Sequence, residues 1–187
     1  MKYTNKITQT SIGLLLLIGA FQLQAQKLVD RNGQVAFKAS EALFEPVEAK
    51  NQSVTAVLDT QSNEIASLAL MKGFRFKNSL MEEHFNENYI ESETYPKATF
   101  KGQLKDFDIT GVTNQPQQVR VDGKLELHGK EKAIETYLNI GKTGDVLIIT
   151  GSFMVTPDDF DISIPSIVKN KIAKEVTISL DFNLKAL

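Results

Sequence analysis

The chain has no cysteine and no tryptophan, and only two histidines in 187 residues. Without cysteine there is no disulfide, no thiolate metal site and no lipidated N-terminal cysteine. A domain of this size then rests on packing alone, as in a periplasmic or similar bacterial compartment. Basic residues are not in excess either: 21 Lys and Arg face 23 Asp and Glu, for a net charge of −2. A mildly acidic chain without a basic patch does not suit nucleic-acid binding. Long apolar runs are also missing. The run from Ile12 to Phe21 is too short to span a bilayer as a helix. Lys2 and Lys6 precede it and the small residue Ala25 ends it. That pattern predicts a cleaved secretory signal over residues 1–25 and a mature domain over 26–187, periplasmic or secreted.

What the chain does have is alternation. Val119, Val121, Gly123, Leu125 and Leu127 interleave with Arg120, Asp122, Lys124, Glu126 and His128. One face is apolar and the other polar, as in a half-buried strand. The same period appears from Ala98 to Lys105, from Ile134 to Ile140 and from Val176 to Leu184. Ser53–Asp59 and Ile65–Met71 read as two more strands around a turn, and Asp145–Thr156 as one that is apolar on both faces. Asn32-Gly33, between short apolar runs, predicts a hairpin. Phe44 and Pro46 predict a bend or an edge, and Ile164–Lys174 a short helical turn. About eight or nine antiparallel strands with one apolar face predict an all-β barrel or sandwich. A membrane barrel would turn the apolar face outward and crowd Arg120, Asp122, Lys124 and Glu126 into a narrow lumen. The absence of tryptophan also leaves no clear aromatic girdle.

Alternation stops between Lys72 and Gly102. Ser79 with Glu82 three residues on forms a capping-box pattern, which predicts a helix start. Met81, Phe85 and Tyr89 then recur every four residues on one helical face. Phe74, Phe76 and Phe100 flank this segment, which makes it an aromatic insert beside a β-structure.

Catalytic patterns fail one by one. Gly141-Lys142-Thr143 has Thr136 where a phosphate loop needs its first glycine, and strands flank it on both sides. Asp106, Asp108, Thr110 and Gly111 begin like a calcium loop, but Gln117 stands at the position of the bidentate glutamate. Asp158, Asp159 and Asp161 read as turn residues. His84 and His128 could share a metal only as two nitrogen ligands at unknown separation. No catalytic residue, resident cofactor or metal ligand is assigned.

Three segments then carry a family likeness. They are His84-Phe85 followed by Tyr95-Pro96-Lys97-Ala98-Thr99-Phe100-Lys101-Gly102, the run Gly123–Lys132, and Ser152-Phe153 through Asp159-Phe160-Asp161-Ile162. In order and spacing the chain resembles the YceI-like proteins, over nearly the whole mature length. It departs at Glu131, Ala133, Pro157 and Asp158. The resemblance implies an eight-stranded antiparallel lipocalin-like barrel with a short helical insert, held in the periplasm. It also implies a tunnel for a polyisoprenoid or other long amphiphilic lipid, and no enzymatic reaction.

On that basis the expected ligand-binding residues are Phe37, Phe74, Phe76, Met81, Phe85, Phe100, Leu125, Leu127, Leu138 and Phe182. The expected partner is a polyisoprenoid or fatty lipid, with no nucleic acid and no stable membrane span; a homodimer is left open. Two rival readings remain at this point. One is a structural or stress-linked interaction module whose barrel is filled by its own side chains. The other is a metal-assisted enzyme around His84 and His128.

Overall fold

The computed structural model describes residues 27–40, 46–166, 168 and 172–187. Among these, nine strands form. They are β1 (Lys27–Ser40), β2 (Glu48–Asp59), β3 (Glu64–Leu70), β4 (Arg75–Phe76), β5 (Lys97–Leu104), β6 (Gln117–Leu127), β7 (Lys130–Thr143), β8 (Val146–Val155) and β9 (Ile172–Ala186). The expected signal segment and Phe44 lie outside the described residues, as does part of the turn expected over 164–174. Of that turn, Ile172 already belongs to β9. No helix among the described residues is long and apolar enough to cross a membrane.

Eight of the strands close into an antiparallel barrel, in the order β1-β9-β8-β7-β6-β5-β3-β2, with β2 pairing back to β1. Closure pairs each of these eight strands on both sides, so the barrel itself offers no long open edge for unwanted pairing. The alternating residues place their apolar face inward. Val121 is opposite Leu104 and Leu125 is opposite Phe100 across β5–β6, and all face the lumen side. The two-residue β4 continues the line of β3 along β2, with Phe76 opposite Ala49. Asn51 fills the gap between them. It is 1% exposed, its Nδ2 donates to the Leu70 carbonyl at 2.9 Å, and its Oδ1 accepts from Ser53 N at 2.9 Å. A buried amide satisfied in this way stitches a broken ladder that would otherwise leave orphan backbone groups.

Two local expectations are corrected. Asn32-Gly33 makes no hairpin: β1 runs straight through it, with register shifts against β2 on both sides of Gly33. Neither residue takes a positive φ. Gly33 is required instead by close approach, since a Cβ there would stand 2.5 Å from the Phe182 ring. The helix α1 (Ser79–His84) is capped by Asn78, not Ser79; the Asn78 Oδ1 accepts from Leu80 N and Met81 N. Glu82 is therefore free to reach outward, accepting from Phe76 N at 3.1 Å and pairing with Arg75 at 2.6 Å. A π-helical turn (Phe85–Tyr89) continues α1, with Ile90 N bonded to the Phe85 carbonyl at 2.9 Å.

The barrel has two unlike ends. The bottom carries the β2–β3 and β7–β8 hairpins and the long β5–β6 loop. That loop folds Phe107 and Val112 into the barrel base, where both are buried. Asn63 Nδ2 holds the Phe107 carbonyl at 2.7 Å. The top carries the insert from β3 to β5, the β6–β7 hairpin and the β8–β9 connection.

Candidate functional site

The upper half of the barrel is hollow. A cavity of about 480 Å³ lies between the strands and the insert. That volume falls within the roughly 300–1,000 Å³ typical of small-molecule sites. Its walls are apolar from every direction: Phe37 from β1, Phe100 from β5, Leu125 and Leu127 from β6, Leu138 from β7, Ile178 and Phe182 from β9. Met81, His84, Phe85 and Tyr89 cover it from the insert. The three- and four-residue steps from Met81 to His84 and Phe85, and on to Tyr89, turn one face of α1 and the π turn toward the cavity. All ten residues expected from the sequence to meet a ligand line this one space.

The lid is fastened on one side by four phenylalanines. The Phe37 and Phe85 rings stack at 5.3 Å, Phe76 meets Phe85 at 5.2 Å, and Phe74 meets Phe37 at 5.6 Å. Such pairs add about 0.5–1.5 kcal/mol beyond the area they bury. Two ion pairs lie outside the cavity along the rim. Lys77 pairs with Glu48 at 2.8 Å, and Lys72 pairs with Glu93. The Lys77 ammonium, bonded to Glu48, holds that carboxyl below its usual range. These pairs are solvent-exposed and contribute little to stability.

On the far side of the mouth, Lys130 pairs with Asp161 at 2.7 Å and Lys132 with Asp159 at 3.4 Å. Here His128 sits in the β6–β7 turn at φ 50° with its side chain 10% exposed. Its Nδ1–H donates to the Phe160 carbonyl at 2.9 Å, and Tyr95 packs on its ring at 4.2 Å. Its Nε2 lies 3.8 Å from Glu91 Oε2, beyond hydrogen-bond reach. His128 thus ties the hairpin, the end of the insert and the β8–β9 connection together. His84, by contrast, is exposed and lines the cavity from the lid. Among the described residues there is no group of three or more His, Asp or Glu side chains placed to hold a metal.

The cavity also uses residues that the expectations did not single out. Val35, Ile178 and Leu180 stand on strand faces whose alternation was plain. Phe153 lies on β8, which is apolar on both faces, so periodicity could not choose between them; Met154 next to it is exposed. Phe160 comes from a turn, where no strand or helix period applies; it stood out only as part of the third family-like segment. Polar lining groups are few. The hydroxyls of Thr99 and Thr136 donate to Glu126 and to the Ser152 carbonyl, each at 3.1 Å, so neither offers its proton to an occupant.

A family model described as a YceI-like domain matches residues 24–184. Among solved structures, a polyisoprenoid binding domain from Saccharophagus degradans, implicated in plant cell wall breakdown, superposes with a TM-score of 0.75. It is 16% identical, and the match covers 88% of this chain and 100% of that one. BcnA of Burkholderia cenocepacia gives a TM-score of 0.67 at 18% identity, over 83% of this chain and 98% of its own. A Campylobacter jejuni protein of the same family name gives 0.57 at 17% identity, over 75% and 86%. At these identities the likeness is one of fold. No curated protein matches the chain by sequence.

Proposed function

The chain belongs to the YceI-like family, and from that premise we propose that its hollow upper barrel holds the tail of a polyisoprenoid or other long-chain amphiphilic lipid. The observation that carries this reading is the cavity of about 480 Å³ walled by aromatic and aliphatic side chains, with no Asp, Glu, Lys or Arg among the described residues that line it. Below its mouth such a space has few partners for a polar metabolite, most of whose groups would be buried without hydrogen bonds. An apolar tail needs only area, and each buried methylene is worth about 0.8 kcal/mol. The polyisoprenoid binding named for the Saccharophagus degradans domain supports the same ligand class.

The protein acts as a carrier or sequestering agent and not as an enzyme. It works outside the cytoplasm, after removal of a signal peptide at Ala25. The test is direct. Protein purified from its native compartment is extracted with organic solvent, and the extract is weighed by mass spectrometry. The reading expects one stoichiometric class of long-chain amphiphile. Protein that yields no lipid and takes up no long-chain probe would be a self-contained barrel, and the carrier reading would fall.

A further inference from the structure

The cavity is blind, and the level at which it stops can be read strand by strand. On β5 it is lined as far down as Phe100, with Gly102 and Leu104 beneath taking no part, while on the flanking β3 and β6 it reaches Ile65 and Val121, opposite Gly102 and Leu104. On β9 it reaches Phe182 and not Leu184. At this level two aromatic rings lie over glycines. A Cβ at Gly102 would stand 2.8 Å from the Phe100 ring, and one at the facing Gly123 only 2.4 Å from it. Real Cβ atoms do not approach so closely, so the paired glycines are the seat into which that ring fits. Phe182 covers Gly33 in the same way. The two rings differ in one respect. Both line the cavity, but Phe182 is 2% exposed, whereas Phe100 is half-buried.

We propose that Phe100, seated on the Gly102–Gly123 pair, is the stop that sets the tail length this cavity accepts. The ligand is a single-tailed amphiphile that enters tail first, leaving its polar head at the mouth. There the insert supplies the cavity's imidazole and phenol, His84 and Tyr89. Beside the ring, Ile65 and Val121, 3% and 1% exposed, complete the cavity's floor, and Leu104 opposite Val121 is 2% exposed and outside the cavity, so a tail that comes down to this level meets packed side chains. Truncation of Phe100 vacates the glycine seat and adds depth at that point alone. This inference rests on the carrier reading above.

The test uses straight-chain saturated fatty acids in two-carbon steps, measured by displacement of one fluorescent fatty-acid probe. For the wild-type protein, affinity rises roughly fourfold per methylene and then levels off at one chain length. Phe100→Ala moves that levelling point to longer chains. Leu127→Ala, at the mouth, weakens every chain length by a similar factor and leaves the levelling point where it was. Should Phe100→Ala melt out, Phe100→Leu gives a smaller shift in the same direction. Wild-type binding that never levels off, or a levelling point unmoved in the Phe100 variants, overturns the stop while leaving the carrier reading intact. Wild-type protein that binds no fatty acid of any length overturns both.

Discussion

The two halves of this barrel are written in the same alternating pattern and have different interiors. In the lower half Val54, Leu58, Leu104, Ile140, Ile149 and Leu184 are 0–2% exposed, and the β5–β6 loop seals the base with Phe107 and Val112. In the upper half Phe37, Phe76, Phe85 and Phe100 are larger side chains, yet they remain half-buried around a cavity. An inward face is therefore not the same thing as a filled interior. What separates the halves is their covers. The lower loop drops apolar side chains between the strands, while the upper insert lies across the mouth and anchors itself by ring-on-ring contacts at one side. Packed interiors approach crystal density, so a space of this size persists only where the surrounding elements cannot collapse.

Truncation tests this difference most strongly. Leu58→Ala, in the packed base, is expected to cost about 2–5 kcal/mol, the range for core leucines that leave a cavity. Met81→Ala removes a half-buried side chain that already faces open space, and should cost less than Leu58→Ala because it leaves little new cavity, while weakening binding of long-chain probes. Urea denaturation and probe titration measure the two effects. Equal stability losses at both positions would abolish the distinction between a filled half and a hollow one.

The second contrast is smaller and electrostatic. At the base, Asp59 accepts from the backbone N–H groups of Ser62 and Gln61, and Asp108 is held by Thr110. At the top, Glu48 and Asp161 are held by hydrogen bonds and charge from Lys77 and Lys130. All four carboxyls lie below their usual range. A carboxyl with a depressed folded-state pKa binds fewer protons than it does in the unfolded chain. Its contribution to stability is present above the unfolded value near pH 4, and is lost as pH falls through the folded value. Because ion pairs between exposed groups are screened by salt, raising ionic strength should move Glu48 and Asp161 back toward ordinary values. Asp59 and Asp108 should stay depressed. Carboxyl NMR titration at low and high salt distinguishes them; a uniform response at all four would remove the contrast.

Much of the barrel was legible because strand period reports directly on face. β5, β6, β7 and β9 each alternate a mainly apolar face with a polar one, broken only by small residues such as Gly102, Gly123 and Thr136, and each turns the apolar face inward. The family likeness added closure and strand number, which alternation alone left between a barrel and a sandwich. Asn32-Gly33 misled for a physical reason. A local turn signal and a long-range requirement for space both select glycine, and only Phe182, 149 positions on, distinguishes them. Ser79 misled because Asn78 beside it caps equally well and leaves Glu82 to pair with Arg75. The depth of the cavity was not legible at all. It depends on which residues of different strands share a level, and a slip of one residue would change every neighbour. His128 belongs to the same class, since its carbonyl partner lies in another loop 32 residues away.

The most direct measurement is a crystal structure of the protein loaded with a fatty acid carrying bromine at its terminal carbon. The account predicts one anomalous peak inside the upper half, beside Phe100, with the carboxylate at the mouth near His84. A bromine on the outer surface of the barrel, or a chain lying with its carboxylate at the floor, would contradict it.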